Sequence, residues 1–188
     1  MVPTRKGRQT PPASSAGSNG QNGQSMRRTI LIAALVAITG LAAWADDRGP
    51  VTGLPLPRYV SMKAAEGYAR RGPSSTHRID WVFKRRNMPL LLTDEYGQWR
   101  RVQDREGAGG WMHYSLLSGN RTVIVEPEQL DLRRRPTPDS PVSARLETGV
   151  VAWLDHCEGD WCEVEVEGTG GWAERAALWG ILPGEPSD

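Results

Sequence analysis

The chain repeats itself at a spacing of about 62 residues, and that repeat restricts the fold more than any other feature of the sequence. Ala69-Arg70-Arg71-Gly72-Pro73-Ser74 matches Leu132-Arg133-Arg134-Arg135-Pro136-Thr137. Gly97-Gln98-Trp99-Arg100-Arg101-Val102 matches Gly159-Asp160-Trp161-Cys162-Glu163-Val164. Gly109-Gly110-Trp111 matches Gly170-Gly171-Trp172, and Leu117-Ser118-Gly119 matches Leu178-Trp179-Gly180. The offset drifts only from 63 to 61, so two small indels align the copies. A unit of this length is a whole small domain rather than a turn of a solenoid.

Each unit reads as β-structure. Val60, Met62 and Ala64 alternate with polar residues, and Trp81-Val82-Phe83 and Leu90-Leu91-Leu92 are short strand-type runs. Trp99 to Val102 and Trp111 to Tyr114 follow turn residues. In the second unit Thr122 to Val125, Val150 to Leu154 and Trp161 to Val166 read as strands. The last alternates apolar and acidic side chains, the pattern of a half-buried antiparallel strand. With 21 Gly and 14 Pro punctuating these runs, strands at short spacing suggest small barrels. One helical turn is expected within Ala173 to Leu178. A unit of about 60 residues has a marginal core and gains from packing on a neighbour. Residues 58–119 carry net charge +5 and residues 120–182 carry −6, which favours such packing.

The first 45 residues stand apart. Residues 1–25 are Gly, Ser, Asn, Gln and Pro with a few basic residues, a composition expected to be disordered. Met26-Arg27-Arg28 is followed by an uncharged run and then by Ala43-Trp44-Ala45 and Asp46-Asp47. A basic start, an apolar stretch and a small-x-small site predict a secretory signal peptide over 26–45, cleaved between Ala45 and Asp46. An uncleaved anchor is the alternative, because the 17 uncharged residues from Thr29 to Ala45 are at the short limit of a bilayer span. Met26 is a second candidate start, and the Arg pair leaves both general and twin-arginine export open. The expected location is periplasmic or secreted.

Within each unit a basic Pro-containing loop, a hairpin with a Gly-x-Trp turn and a Gly-Trp strand follow in fixed order. Leu56 to Ala64, Arg70-Arg71-Gly72-Pro73, Trp99-Arg100-Arg101-Val102, Gly110-Trp111-Met112-His113 and Leu116 to Gly119 carry it first. Cys162-Glu163-Val164, Gly171-Trp172, Leu178-Trp179-Gly180 and Pro183-Gly184-Glu185 carry it again. That order resembles the bacterial SH3-like (SH3b) domain, as found in exported bacterial proteins with two such domains in tandem. Where the family has Asn-Val before the first-loop Arg, this chain has Gly67 or Tyr68 with Ala69. The resemblance implies an all-β fold of two small SH3-like β-barrels, over 54–119 and 120–183, each of five or six strands. It also implies that the first loop of each barrel walls a ligand groove.

Cys157 and Cys162 flank Glu158-Gly159-Asp160-Trp161; a hairpin there sets the thiols opposite each other on paired strands. In an exported protein that geometry predicts a disulfide. His77, His113 and His156 fall on different elements with no second ligand at a metal-motif spacing, so no metal or cofactor is expected. No Gly-x-Ser-x-Gly elbow is present. Asp94-Glu95 and Glu165/Glu167 read as solvated carboxylates. Candidate ligand contacts are Tyr68, Trp99 and Trp111 as aromatic platforms, with Arg70, Arg71, Arg133 and Arg134 as cations pairing a carboxylate. Lys84-Arg85-Arg86 adds a basic patch suited to an acidic polymer, an anionic lipid head group or the second unit. A net charge of +1 and export argue against nucleic acid. The expected function is non-enzymatic binding of cell-wall peptidoglycan or a protein partner. An accessory role to a cell-wall enzyme and a purely structural docked pair are the alternatives.

Overall fold

A computed structural model describes residues 47–185. The expected disordered segment, signal peptide and cleavage position lie outside these residues. Among the described residues no helix is long and apolar enough to cross a membrane.

The structure is all-β. A short hairpin of β1 (Asp47–Arg48) and β2 (Pro55–Leu56) precedes the repeats. The first repeat forms β3 (Arg58–Met62), β4 (Gly67–Arg70), β5 (Ile79–Phe83), β6 (Pro89–Tyr96), β7 (Trp99–Gln103), β8 (Gly109–His113) and β9 (Leu117–Ser118). The second forms β10 (Thr122–Val125), β11 (Gln129–Arg133), β12 (Val142–Glu147), β13 (Val151–Glu158), β14 (Trp161–Val166), β15 (Thr169–Glu174) and β16 (Leu178–Trp179). The antiparallel sheets run β5-β4-β8-β7-β6-β3-β9 and β12-β11-β15-β14-β13-β10-β16, the same order twice. Each sheet has seven strands where five or six were expected; the two-residue β9 and β16, which close on β3 and β10, are among them. The expected helical turn is a 3₁₀ turn, Arg175–Ala177, mirrored by Tyr114–Leu116.

The repeat persists in its irregularities. A bulge falls between Leu92 and Asp94 in β6 and between Leu154 and His156 in β13. The β6–β7 and β13–β14 hairpins turn through Gly97 (φ 50°) and Gly159 (φ 56°), the positive φ that the first central residue of a type II′ turn needs. Gly110 and Gly171 serve a second purpose. A Cβ on Gly110 would stand 2.5 Å from the Arg70 carbonyl oxygen, and one on Gly171 would stand 3.0 Å from Leu132 Cβ. The Gly of each Gly-Trp motif thus lets β8 and β15 close on β4 and β11 through a single paired residue, Arg70 with Trp111 and Arg133 with Trp172.

Each sheet wraps its own core. Val60, Met62, Ala69, Phe83, Leu90, Leu92, Val102 and Met112 fill the first. Val123, Val125, Leu130, Leu132, Leu146, Ala152, Val164, Ala173 and Leu178 fill the second, with the disulfide sulfurs beside them. The two modules meet through Thr122, whose hydroxyl donates to the Asn87 carbonyl at 2.7 Å, and Arg85, which donates to the Gly149 carbonyl at 2.8 Å. Tyr59 meets Trp179 edge-on with ring centroids 5.0 Å apart, and the Arg121 guanidinium lies 5.8 Å from the Tyr59 ring centre. Arg85 comes from the basic module, as charge complementarity suggests, but its partner is a carbonyl rather than a carboxylate.

Candidate functional site

Alternation along each strand sets one set of side chains outward over the β4-β8-β7 face. Ala69, Met112 and Val102 point into the core, so Tyr68, Arg70, Trp111, Arg101, Trp99 and His113 stand on the opposite face. Cross-strand pairing of Arg70 with Trp111, Trp111 with Arg101, and Trp99 with His113 keeps them together. The same pairing in the second module collects Asp131, Arg133, Trp172, Glu163, Trp161 and Glu174. The sequence-derived candidates Tyr68, Arg70, Trp99 and Trp111 therefore share a face.

The loop arginines brace their own loop. Arg70 donates to the His77 carbonyl at 2.7 Å, and its repeat mate Arg133 donates to the Ser140 carbonyl at 2.8 Å. Arg71 pairs with Asp80 at 3.1 Å, while Arg134 lies exposed. Arg71 and Arg134 each hold the neck of the loop by a backbone bond, to Arg78 and Pro141. These bonds fix the loop as a wall, and Arg133 also lines a depression.

That depression lies on the second module. Gln129, Asp131, Arg133, Arg145, Trp161 and Glu174 surround a groove of about 520 Å³, floored by Leu130 and closed by Pro127 and Ala177. A second lobe of about 450 Å³ continues past the Trp161 ring between Pro138, Asp160, Glu174 and Arg175. Trp161 is half-buried, so one part of its ring packs and the rest is a platform between the lobes. Asp131 draws Arg145 to 2.8 Å and Arg133 to 4.0 Å. Glu174 forms the opposite wall. The groove thus offers an aromatic plane flanked by both signs of charge, which suits a peptidic ligand carrying ammonium and carboxylate groups. Trp161 is absent from the residues singled out in the sequence, although the repeat aligns it with Trp99, which was. In the first module the corresponding wall positions of Asp131 and Arg145 are Tyr68 and Val82.

The disulfide between Cys157 and Cys162 forms across the β13–β14 hairpin, as its register predicts, with sulfurs 2.07 Å apart. The bulge in β13 brings His156 opposite Glu163. Its Nδ1 lies 2.9 Å from Asp155 Oδ2 and 3.7 Å from Glu163 Oε2, and its ring meets Trp172 edge-on. The bond to Asp155 holds the imidazole above its usual pKa, with help from Glu158 and against partial burial. Ligand atoms of Asp155, His156 and Glu163 lie within 4.8 Å of one another. A cation there would have to replace the proton shared by Nδ1 and Asp155. Sequence spacing missed this grouping because cross-strand pairing, not a short motif, creates it.

Glu95 corrects the reading of Asp94-Glu95 as solvated. The β6 bulge turns Glu95 inward, where it is 2 % exposed. Its carboxylate accepts from Arg58 at 2.6 Å and from the Thr52 amide and hydroxyl at 2.8 and 2.7 Å. Arg100 Nε stands 3.5 Å away. Burial would raise the Glu95 pKa, but the Arg58 and Thr52 hydrogen bonds outweigh it and hold the pKa down to about 2.

Two compact sheets of one order, each with a basic loop held over an aromatic outer face, define a tandem pair of SH3-like modules. The bacterial SH3 domain family model matches residues 63–119 and again 126–180, and the chain belongs to that family. No curated protein sequence matches the chain. Among solved structures, NlpC2 from Trichomonas vaginalis is similar over 65% of this chain and 48% of its own, at 8% identity and a TM-score of 0.32. NlpC1 from the same organism is similar over 70% of this chain and 48% of its own, at 9% identity and a TM-score of 0.31. The chain thus spans about half the length of these structures.

Proposed function

We propose that this protein is a non-enzymatic binding module of the bacterial envelope, exported and acting in the periplasm or outside the cell. Its second SH3 module recognises cell-wall peptide, or a protein segment of like chemistry, in the groove over Trp161. The groove itself carries this reading: the half-buried Trp161 indole and its cross-strand neighbour Glu174 on one wall, Arg133 and Arg145 on the other. Membership of the bacterial SH3 family supports it, because such domains commonly bind peptidoglycan or proteins. The first module serves as a fixed platform rather than as a second copy of the site, since Tyr68 and Val82 replace the Asp131–Arg145 ion pair there.

Co-sedimentation of residues 46–188 with purified peptidoglycan tests the proposal. Retention above that of an unrelated protein, reduced at least tenfold by Trp161→Ala in a variant that keeps its melting temperature, is the expected result. Equal retention of the variant, or none by either protein, contradicts it.

A further inference from the structure

We propose that β5 is a docking edge for an extended segment of a partner protein, one that alternates apolar and acidic side chains. This site is on the first module and does not rest on the groove over Trp161. β5 ends its sheet, so one side of its backbone is not paired within the module. An unpaired edge invites strand addition, and natural proteins blunt such edges with charge or cover. Apart from one carboxylate, Asp80, tied back to Arg71 and Arg78 at 3.1 and 2.8 Å, this edge carries large apolar side chains: Ile79, Trp81 and Val82 are 39, 46 and 38 % exposed.

The apolar exposure is on both faces of the same strand. Val82 pairs with Tyr68, itself exposed, on the outer face. Trp81 is one residue on and leans against Phe83, a core residue, with ring centroids 6.4 Å apart. A ligand lying flat on one face would leave the other uncovered. A strand added at the edge places alternate side chains over both. The second module is an internal control: at the positions of Tyr68 and Val82 its β11 and edge strand β12 have Asp131 and Arg145, joined at 2.8 Å.

Charge decides the occupant. Arg78 and Lys84 bracket β5 in a module of net charge +5. A second copy pairing antiparallel about Trp81 would set Arg78 of each chain against Lys84 of the other, like charge on like at both ends. An acidic strand meets Lys84 at one end and, at the other, Arg71 and Arg78, two cations that share the single carboxylate of Asp80.

The test uses residues 46–188 and two blocked hexapeptides, Glu-Val-Glu-Val-Glu-Val and Lys-Val-Lys-Val-Lys-Val. The acidic peptide is expected to bind saturably, to slow hydrogen exchange at backbone amides within 79–83, and to bind at least tenfold more tightly than the basic one. Trp81→Lys and Val82→Lys, both at exposed positions, are each expected to weaken it about tenfold with the fold retained by circular dichroism. Trp161→Ala should leave this binding unchanged, which separates it from the groove. No added protection in β5, equal binding of the two peptides, or dimers that protect β5 without peptide would overturn the proposal.

Discussion

The two modules fill the same rung in opposite ways. In the second, Cys157 and Cys162 face each other across the β13–β14 hairpin and are joined covalently. In the first, the repeat mates are Glu95 and Arg100, paired across β6 and β7 at the same place. The disulfide ties two strands already linked by a two-residue turn, so the loop it closes is short and its effect is local. Glu95 reaches further. Through Thr52 and Arg58 it fastens the hairpin of residues 47–56 onto the first sheet, closely enough that a Cβ on Gly49 would stand 2.4 Å from its carboxylate. One rung is a covalent staple within a hairpin, and the other is a polar anchor for a segment outside the repeat. Duplicated folds keep their topology through backbone features, here bulges and glycines, while buried pairs diverge.

The largest expected effect comes from removing the anchor. Glu95→Ala takes the carboxylate acceptor from Arg58 and from the Thr52 amide and hydroxyl, removes the ion pair with Arg100, and should cost about 3 kcal/mol in denaturant unfolding. Transplanting the other solution sharpens the comparison. Glu95→Cys with Arg100→Cys should oxidise to a disulfide across β6 and β7 yet still free the 47–56 hairpin, seen as fast exchange of the Thr52 amide. Slow exchange there would show that the hairpin is held by something else.

Acid should act on the first module in the same sense. A carboxylate with a folded pKa of about 2 against 4.5 in the unfolded chain contributes stability that is complete above 4.5 and is lost as pH falls toward 2. That shift corresponds to about 3 kcal/mol at most. Glu95→Gln should flatten the stability profile over that interval. Asp80 and Glu185, whose pKa values are also held down by arginines, should leave a smaller slope behind.

Reduction should act on the second module alone. Dithiothreitol, or Cys157→Ser with Cys162→Ser, is expected to lower stability by about 2 kcal/mol and to leave the Thr52 amide protected. The smallest effect belongs to the junction. Arg85→Ala removes one hydrogen bond between the modules and should cost about 1 kcal/mol or less, read as a small fall in melting temperature.

Much of this was legible in the residues because the repeat registers the copies. The tandem arrangement, the disulfide and the single helical turn after the last long strand all follow from motif order and turn chemistry. Glu95 was not legible. A bulge between Leu92 and Asp94 reverses the alternation, and nothing in Thr-Asp-Glu-Tyr announces it. The grooved face was half legible. Trp99, Trp111, Tyr68 and Arg70 do share a surface, but the groove lined by Trp161, Arg133 and Glu174 is on the other copy. Charge alone does not reveal the role of Arg70 and Arg133, whose guanidinium groups donate to carbonyls seven residues along the chain.

The central claim, that binding belongs to the second module's outer face, has a direct test in the indole N–H signals of the tryptophans. Titrating ¹⁵N-labelled residues 46–188 with soluble cell-wall peptide fragments should move the Trp161 signal first and most, with Trp81 and Trp99 nearly still. Saturable shifts centred on Trp99 and Trp111 instead, with Trp161 unmoved, would contradict the account.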